Sequence, residues 1–392
     1  MKAGRGRMVF GSVCAGNPPG CEHRARGRLT GRGQLPKNGL WLFLRPKLPD
    51  GEASPSPKSR KVHAVHSNSP GPAPIAALDF PRKGVRLFRR LVAPWAAWLA
   101  MIAFPALCRG QDNDTLEIGG ATLRISFDSA PTPEFRQLAL DWIRRAADAI
   151  TVYYVRFPVR HADIAVHVVG GGAVGPGHAS GDPSPRIDVT LGSGVTARAL
   201  AVGDNNWLMT HEMVHLALAG VEEEHHWLEE GLATYVEPIA RVRAGELDAR
   251  KVWRDMMEGM PQGQPAPGDR GLDHTPTWGR TYWGGAMFCL LADVEIRRQT
   301  HGRTGLENAL RGIVESGGTI DYEWGLARVL ETGDRVIGLP TLQNLYDKMQ
   351  ADSQPVDLAA LWKQLGVEER DGSVVFHDDA PLADVRKAIM RP

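Results

Sequence analysis

Two histidines four residues apart, with a glutamate beside the first, carry the strongest chemical signal in this sequence. They form HEMVH, which places His211, Glu212 and His215. On an α-helix at about 100° per residue, the two imidazoles lie about 40° apart on one face, one turn above the other. A small tetrahedral cation needs this arrangement of two imidazoles. Glu212 is offset by about 100° from His211, so its carboxylate would lie beside the cation, within reach of a water bound to it.

The helix that carries these residues is predicted over 207–219, and most of its circumference is apolar. Its apolar positions are Leu208, Met209, Met213, Val214, Leu216, Ala217 and Leu218. A helix that is apolar nearly all round is buried. Histidines and a carboxylate on its one polar face are unfavourable there unless they are paired or bind a metal. The alternative is a chance match of a five-residue pattern, so the downstream residues decide.

A catalytic zinc usually takes three protein ligands and leaves its fourth position to water. The third ligand is sought in VEEEHHWLEEGLATYVE, residues 221–237. The first helix is expected to end near Gly220, since glycine is a frequent C-terminal breaker. A loop over 221–226 and a second helix over 227–243 then follow. Glu230 lies about one turn inside that helix, at a depth similar to that of His215 if the two helices pack antiparallel.

Glu229 is the rival third ligand. It lies at the margin of the apolar stripe of the second helix, whereas Glu230 points away from that stripe, which favours Glu230 for a site in a cleft. His225, His226 and the acidic residues 222–224 remain candidates and are expected in a solvated loop.

HEMVH followed by WLEEGLATYVE resembles the gluzincin metallopeptidases, especially the aminopeptidase N-like and glycyl aminopeptidase-like families. Those families carry HExxH and a W-L-x-E-G-x-A-x-Y helix, whose glutamate before the glycine is the third zinc ligand. The resemblance implies one catalytic Zn²⁺ on His211, His215 and Glu230, with Glu212 as the general base. It covers about thirty residues. Glu230 follows His215 by 15 residues, some four fewer than is usual in those families, which implies a trimmed connection.

A second stretch supports this resemblance. GRTYWGGAMFCLLADVEIRRQTHG is similar to the peptidase segment in which a tyrosine, three residues before a glycine, faces the zinc and stabilises the oxyanion. The tyrosine corresponds to Tyr282 and the glycine to Gly285, while the lysine often found between them is Gly284. The alternative is a tyrosine that packs its ring on the core. Further along, a structural ion-pair face is predicted for Asp293, Glu295, Arg297 and Arg298.

The resemblance implies hydrolysis of peptide or protein substrates. Glu237, Thr234 and Glu229 are candidates for orienting the histidines, and the sequence does not choose among them. Exopeptidase or endopeptidase activity stays open because the G-x-M-E-N segment of the aminopeptidase N-like enzymes is missing. The corresponding region offers His178 and Asp182 in a glycine-rich stretch predicted to be a mobile loop. RIDVTLG (186–192) is expected to be the edge strand that pairs with an extended substrate. The alternatives are a zinc hydrolase of a non-peptide bond and a non-catalytic zincin-fold binding protein.

Composition limits the partners and the compartment. The 392 residues carry a net charge of +1, which argues against a nucleic-acid or polybasic membrane partner. Residues 1–84 are rich in Arg, Gly, Pro and Ser and are expected to be disordered, or a mis-annotated leader with the true start near Val85. Residues 85–110 form a signal-peptide pattern, which predicts export to the periplasm or beyond and only transient membrane contact. A transmembrane anchor is the alternative.

The remaining pattern predicts an α+β, zincin-like fold in two parts. A small β-containing subdomain over 111–205 has strands in ATLRISFD, ADIAVHVV and RIDVTLG, with a helix through PEFRQLALDWIRRAADAITVYYV. A helical zinc-binding subdomain over 206–392 follows, and the cleft lies between the two. Its further helices are predicted over 282–300, 304–316, 321–331 and 340–351, before a strand pair in DGSVVFHDD and a terminal helix. Cys289 is expected to be a small buried hydrophobe, and nothing in the sequence indicates an oligomeric state.

Overall fold

A computed structural model describes residues 113–203, 205–351 and 353–392 of the chain. The predicted leader, the start near Val85 and the signal peptide lie outside the described residues. Within those residues, no helix is both long and apolar enough to cross a membrane. The sheet-containing part precedes the helical part, so the predicted α+β organisation is confirmed.

The first part is a five-stranded sheet crossed by one long helix. The elements are β1 (Asp114–Ile118), β2 (Ala121–Phe127), α1 (Pro133–Tyr154), β3 (His161–Val169), β4 (Val174–Ser180) and β5 (Arg186–Gly192), with the strands in the order β1-β2-β3-β5-β4. β2, β3 and β5 are parallel, while β1 and β4 are antiparallel to their neighbours. Every second residue of β2 is buried, as expected for a strand with one face on the core. Thr132 begins α1 by accepting the Phe135 N–H at 3.2 Å.

The predicted mobile loop and the predicted edge strand are both wrong. The glycine-rich stretch contains β4, which forms the edge of the sheet, and RIDVTLG is β5, paired with β3 on one side and β4 on the other. Ile187, Val189 and Leu191 of β5 are completely buried. Glycine has a low strand propensity, so β4 forms through tertiary contacts that its own sequence does not predict.

The second part is mostly helical. Its elements are α2 (Ala197–Val202), α3 (Leu208–His215), α4 (His226–Arg243), α5 (Ala249–Gly259), α6 (Gly285–Gln299), α7 (Leu306–Glu315), α8 (Leu326–Ile337), α9 (Thr341–Met349), α10 (Leu358–Leu365), β6 (Val367–Arg370), β7 (Ser373–Phe376) and α11 (Ala383–Met390). The predicted strand pair before a terminal helix is confirmed, because β6 and β7 form an antiparallel hairpin. The predicted helix over 321–331 begins only at Leu326, since residues before it pair with the connection that follows α3.

Buried ion pairs join α6 to its neighbours, as predicted for this face. Asp293 accepts hydrogen bonds from Arg297 at 2.8 Å and from Tyr235 at 2.9 Å, whereas Glu295 and Arg298 pair at the surface. Arg297 also donates to Glu307 of α7 at 2.6 Å. These contacts join α6 to α4 and α7, as expected for a structural ion-pair face. Cys289 is buried and free, as predicted.

Candidate metal centre

The two histidines of HEMVH lie on a short buried helix. α3 positions His211 and His215 one turn apart, with their ring centroids 5.0 Å from each other. The helix ends at His215, earlier than the predicted end near Gly220. Residues 216–225 are therefore left to connect α3 to α4. Because α3 ends early, the residues after His215 belong to the connection and not to the helix. The connection is therefore long enough despite the short spacing between His215 and Glu230.

Main-chain pairing holds the first half of this connection. The N–H of Gly220 donates to the carbonyl of Tyr322 at 2.9 Å, and the N–H of Trp324 donates to the carbonyl of Gly220 at 2.9 Å. The connection thus runs beside the segment before α8 as a one-residue parallel bridge.

Side chains also hold the second half, where residues 222–224 are exposed as predicted for a solvated loop, whereas His225 is partly buried. Glu222 accepts the N–H of Leu326 at 3.0 Å and caps α8. His225 contacts Asp273 at 3.0 Å, whose other bonds come from Trp227 of α4 and Tyr346 of α9. These contacts give Glu222 and His225 structural roles away from the two histidines of α3.

Glu230 lies against both histidines of α3. Its Oε2 is 3.3 Å from His211 Nε2 and 3.8 Å from His215 Nε2. One potential ligand atom from each of the three residues lies within 4.8 Å of the others. Zinc–nitrogen and zinc–oxygen bonds of about 2.0–2.2 Å in a tetrahedron place neighbouring ligand atoms about 3.3–3.6 Å apart. The observed separations fit a small tetrahedral cation after minor adjustment.

Burial and the mutual charges set the protonation of this cluster. Burial lowers the pKa of His215 to about 4. Burial acts the same way on His211, but the hydrogen bond and charge of Glu230 outweigh it and leave the pKa of His211 raised. Burial works against ionisation of Glu230, yet His211 and His215 hold the pKa of its carboxyl well below its usual range. A carboxylate beside a neutral imidazole suits a cation, because ligands bind metals in their deprotonated forms.

Glu212 is buried beside this cluster and has an unsatisfied oxygen. The side chain is only 1% exposed, and its Oε1 has no hydrogen-bond partner among the described residues. Burial raises the pKa of Glu212 to about 7; the charge of His211 opposes this, and that of Glu230 adds to it. A buried polar atom without a partner destabilises a fold by about 1–3 kcal/mol, so this oxygen has no structural explanation.

Strand β4 covers Glu212, and Gly177 makes this possible. A Cβ at position 177 would lie 2.9 Å from Glu212 Cγ and 3.1 Å from its Oε1. The edge strand of the sheet therefore passes directly over the carboxylate. Gly177 was missed as a site residue, although its place in a glycine-rich stretch was the available signal. His178 and the exposed Asp182 follow it in the chain and do not belong to the three-residue cluster.

Glu229 is directed away from the histidines of α3. Its Oε1 accepts the N–H of Val221 at 3.3 Å, and its Oε2 contacts His226 Nδ1 at 2.9 Å. The other ring nitrogen of His226 lies 3.4 Å from Glu230 Oε1. His226 was expected in a solvated loop, but it is the first residue of α4 and its half-exposed ring touches the Glu230 carboxylate.

Tyr282 lies in a π-helical turn, Arg280–Gly284, that leads into α6. Its ring stacks on Trp278 with a centroid separation of 5.7 Å. The turn is positioned by a backbone contact between α6 and α4. A Cβ at Gly231 would lie 2.3 Å from the Cα of Gly285, and one at Gly285 would lie 2.1 Å from the Trp227 carbonyl oxygen. Tyr282 thus precedes, by one turn, the point where α6 touches the residue next to Glu230. Its catalytic role stays a prediction.

Among the residues expected to orient the histidines, Glu237 acts electrostatically on His211. It is buried and accepts a hydrogen bond from Arg241 at 2.8 Å. Its charge also acts on His211, where it favours the protonated ring. Thr234, one turn after Glu230, is half-buried.

Comparison with known proteins gave structural likenesses only. No protein-family model matches the chain, and no curated protein matches it. An aminopeptidase N family protein from Idiomarina loihiensis superposes with a TM-score of 0.49 at 14% identity, over 65% of this chain and 49% of that one. The M1 zinc metallopeptidase from Deinococcus radiodurans gives 0.39 at 15% identity, over 62% and 51%. A mutant of that enzyme bound to a Tyr-Ser-Ala substrate gives 0.40 at 14% identity, over 62% and 53%.

The chain spans about half the length of each of these structures. These structures are an aminopeptidase N family protein and an M1 zinc metallopeptidase. Identities of 14–15% and TM-scores below 0.5 assign no activity to this chain. The function is therefore inferred from the residues of the chain itself.

Proposed function

We propose that this chain is a zinc-dependent hydrolase of peptide bonds in peptide or protein substrates. One observation carries the proposal: a buried cluster of His211, His215 and Glu230 lies beside Glu212, whose buried carboxylate has an unsatisfied oxygen. Two imidazoles and one carboxylate are a frequent donor set for catalytic zinc, which leaves one position for water. A structural zinc site would use a fourth protein ligand and would give Glu212 no purpose.

Each residue of the proposed site has its own role in peptide hydrolysis. His211, His215 and Glu230 would hold the zinc, which when bound lowers the pKa of water and polarises a carbonyl. Glu212 accepts the proton of the attacking water and passes it to the leaving amine nitrogen. The burial that raises its pKa to about 7 suits a group that must both accept and return a proton near neutral pH. The hydroxyl of Tyr282 donates a hydrogen bond to the oxyanion that develops on the substrate carbonyl.

The edge strand β4 supports a peptide as the substrate. It is the last strand of its sheet, so one of its edges pairs with no strand among the described residues. The strand passes over Glu212 at Gly177. An extended peptide that adds to such an edge by main-chain hydrogen bonds would bring its carbonyls past the proposed base.

Metal analysis and proteolysis of the full chain test the proposal, with Glu212→Gln as the decisive variant. Gln has the same shape but cannot accept the proton, so we expect one zinc per chain in both proteins and a loss of peptide cleavage of at least about 10²-fold in the variant. Glu223→Gln changes an exposed acid of the same connection and should leave cleavage unchanged.

Three results would overturn the proposal: a folded wild-type chain that retains no zinc, a Glu212→Gln variant as active as the wild type, or a wild-type chain that holds zinc and cleaves no peptide library. The last result would favour a zinc hydrolase of a non-peptide bond or a non-catalytic zinc protein. Export of the protein, expected from residues 85–110, stays a prediction.

A further inference from the structure

His226 lies between the carboxylates of Glu229 and Glu230. It is the first residue of α4, with Nδ1 2.9 Å from Glu229 Oε2 and Nε2 3.4 Å from Glu230 Oε1. Glu230 turns its other oxygen, Oε2, towards His211 and His215. The two oxygens of Glu230 are therefore divided between the proposed zinc position and the ring of His226.

This division matters because a glutamate carboxylate has little intrinsic preference for one rotation about its last bond. Without a contact on Oε1, the carboxylate plane can turn and offer both oxygens to a cation instead of one. Burial alone does not prevent this. A ring nitrogen held against Oε1 fixes the plane so that a single oxygen faces the histidines of α3.

His226 is itself held in place. Its Nδ1 contacts Glu229, whose second oxygen accepts the main-chain N–H of Val221 at 3.3 Å. Val221 is buried in the connection between α3 and α4. A continuous polar path thus runs from the main chain of the connection, through Glu229 and His226, to Glu230.

We infer that His226, held by Glu229, is a positioning residue that sets the orientation of the Glu230 carboxylate for metal binding, an inference that rests on the proposed function. Partners of this kind contribute about 10–100-fold in metal affinity when they are removed. Glu229 and His226, whose residue types the family motif does not specify, thereby each have a function.

Two amide replacements test separately the contacts made by the two ring nitrogens of His226. The side-chain nitrogen of Gln lies near the position of the histidine Nε2, so His226→Gln retains a donor towards Glu230. That of Asn lies near Nδ1, so His226→Asn retains a donor towards Glu229 alone. We expect His226→Asn and His226→Ala to bind zinc about 10–100-fold more weakly than the wild type, and His226→Gln to lie much closer to the wild type.

The experiment is a competition titration of the full chain between zinc and a chelator, with thermal unfolding of the metal-free proteins alongside. Glu223→Ala, an exposed acid in the same connection, serves as the control. Metal-free His226 variants should unfold at the wild-type temperature. The visible spectrum of the Co²⁺-loaded chain should change in His226→Asn and stay close to that of the wild type in His226→Gln, because the spectrum reports the ligand geometry.

Zinc affinities of all three variants within twofold of the wild type would overturn the inference. Equal weakening in all three, Gln included, would do the same, because it would show that the contact with Glu230 is irrelevant. In both cases wild-type zinc binding leaves the proposed function standing. A wild-type chain that binds no zinc overturns the proposed function and this inference together.

Discussion

Replacing Gly231 with alanine tests whether the backbone contact between α4 and α6 maintains the proposed metal centre. A Cβ at this position would lie 2.3 Å from both the Cα and the carbonyl carbon of Gly285, and 2.8 Å from the Ala286 nitrogen. All three atoms belong to the main chain, so no side chain can rotate to make room. Ordinary contacts of a Cβ begin at 3.4 Å, so the two helices must separate by about 1 Å.

The size of the effect follows from two opposing contributions. Alanine improves the helix propensity by about 1 kcal/mol over glycine, while overpacking a core contact lowers stability by about 1–3 kcal/mol. Since the clash is with main chain on α6, we expect the upper end and a net loss of about 1–2 kcal/mol. At about 2–4 °C per kcal/mol for a domain of this size, Tm falls by about 2–8 °C. Because position 231 adjoins Glu230, a displacement near 1 Å should lower peptide cleavage by about 10²-fold.

Thermal unfolding measures the loss of stability, and zinc competition together with a peptide-cleavage assay measures the effect on the proposed site, all on the full chain. The control is Gly170→Ala, because a Cβ there meets nothing within 4 Å and the backbone is not left-handed. That variant should match the wild type or gain slightly, since alanine restricts the unfolded chain. Wild-type Tm and wild-type zinc affinity in Gly231→Ala would refute the reasoning, because the helices would then tolerate separation without disturbing Glu230.

Three further outcomes are expected. Glu230→Ala should lose bound zinc in metal analysis while circular dichroism still shows the fold; full zinc retention would contradict its assignment as a ligand. Asp293→Ala should lower the free energy of unfolding by about 3–5 kcal/mol, because it leaves the buried Arg297 short of a partner; a loss below about 1 kcal/mol in denaturant titration would contradict this. The hydrogen bond to Asp188 raises the pKa of His167, so its stabilisation is present below about pH 6.5 and is lost as the pH rises through the raised pKa. His167→Gln should therefore be destabilised relative to the wild type more at pH 5 than at pH 9, by less than about 1 kcal/mol at this partly exposed pair; an equal difference at both pH values would exclude the ion pair.

The spacing of His211, Glu212 and His215 could be predicted because it is a local property. On any helix these positions have fixed directions, and the apolar residues around them already indicated burial, which the structure shows. The wheel argument favoured Glu230 over Glu229 and the resemblance to the gluzincins assigned it, and the structure places Glu230 with the histidines. The wheel did not show that Val221 contacts Glu229, because Val221 lies in a connection with no periodic pattern. The contact of His226 with Glu229 was missed because α4 begins at His226 and not, as predicted, at Trp227.

The strand β4 and the early end of α3 could not be predicted in the same way. Glycine-rich residues have no strand signal of their own, and β4 forms because β5 offers an edge and Glu212 lies beneath Gly177. α3 ends at His215 because the next residues pair with the segment around Tyr322, about a hundred positions later in the chain.

The sequence by itself determined which residue types stand one helical turn apart and which faces are apolar, and with the family resemblance it indicated His211, His215 and Glu230 as the proposed donor set. Tertiary structure alone decided that an edge strand covers Glu212 and that Gly231 and Gly285 bring α4 against α6. The physical reason is the range of the interactions. Helix and strand periodicity depends on neighbours a few residues away, whereas the partner of an edge strand, a glycine contact or a loop carboxylate is set by residues distant in the chain.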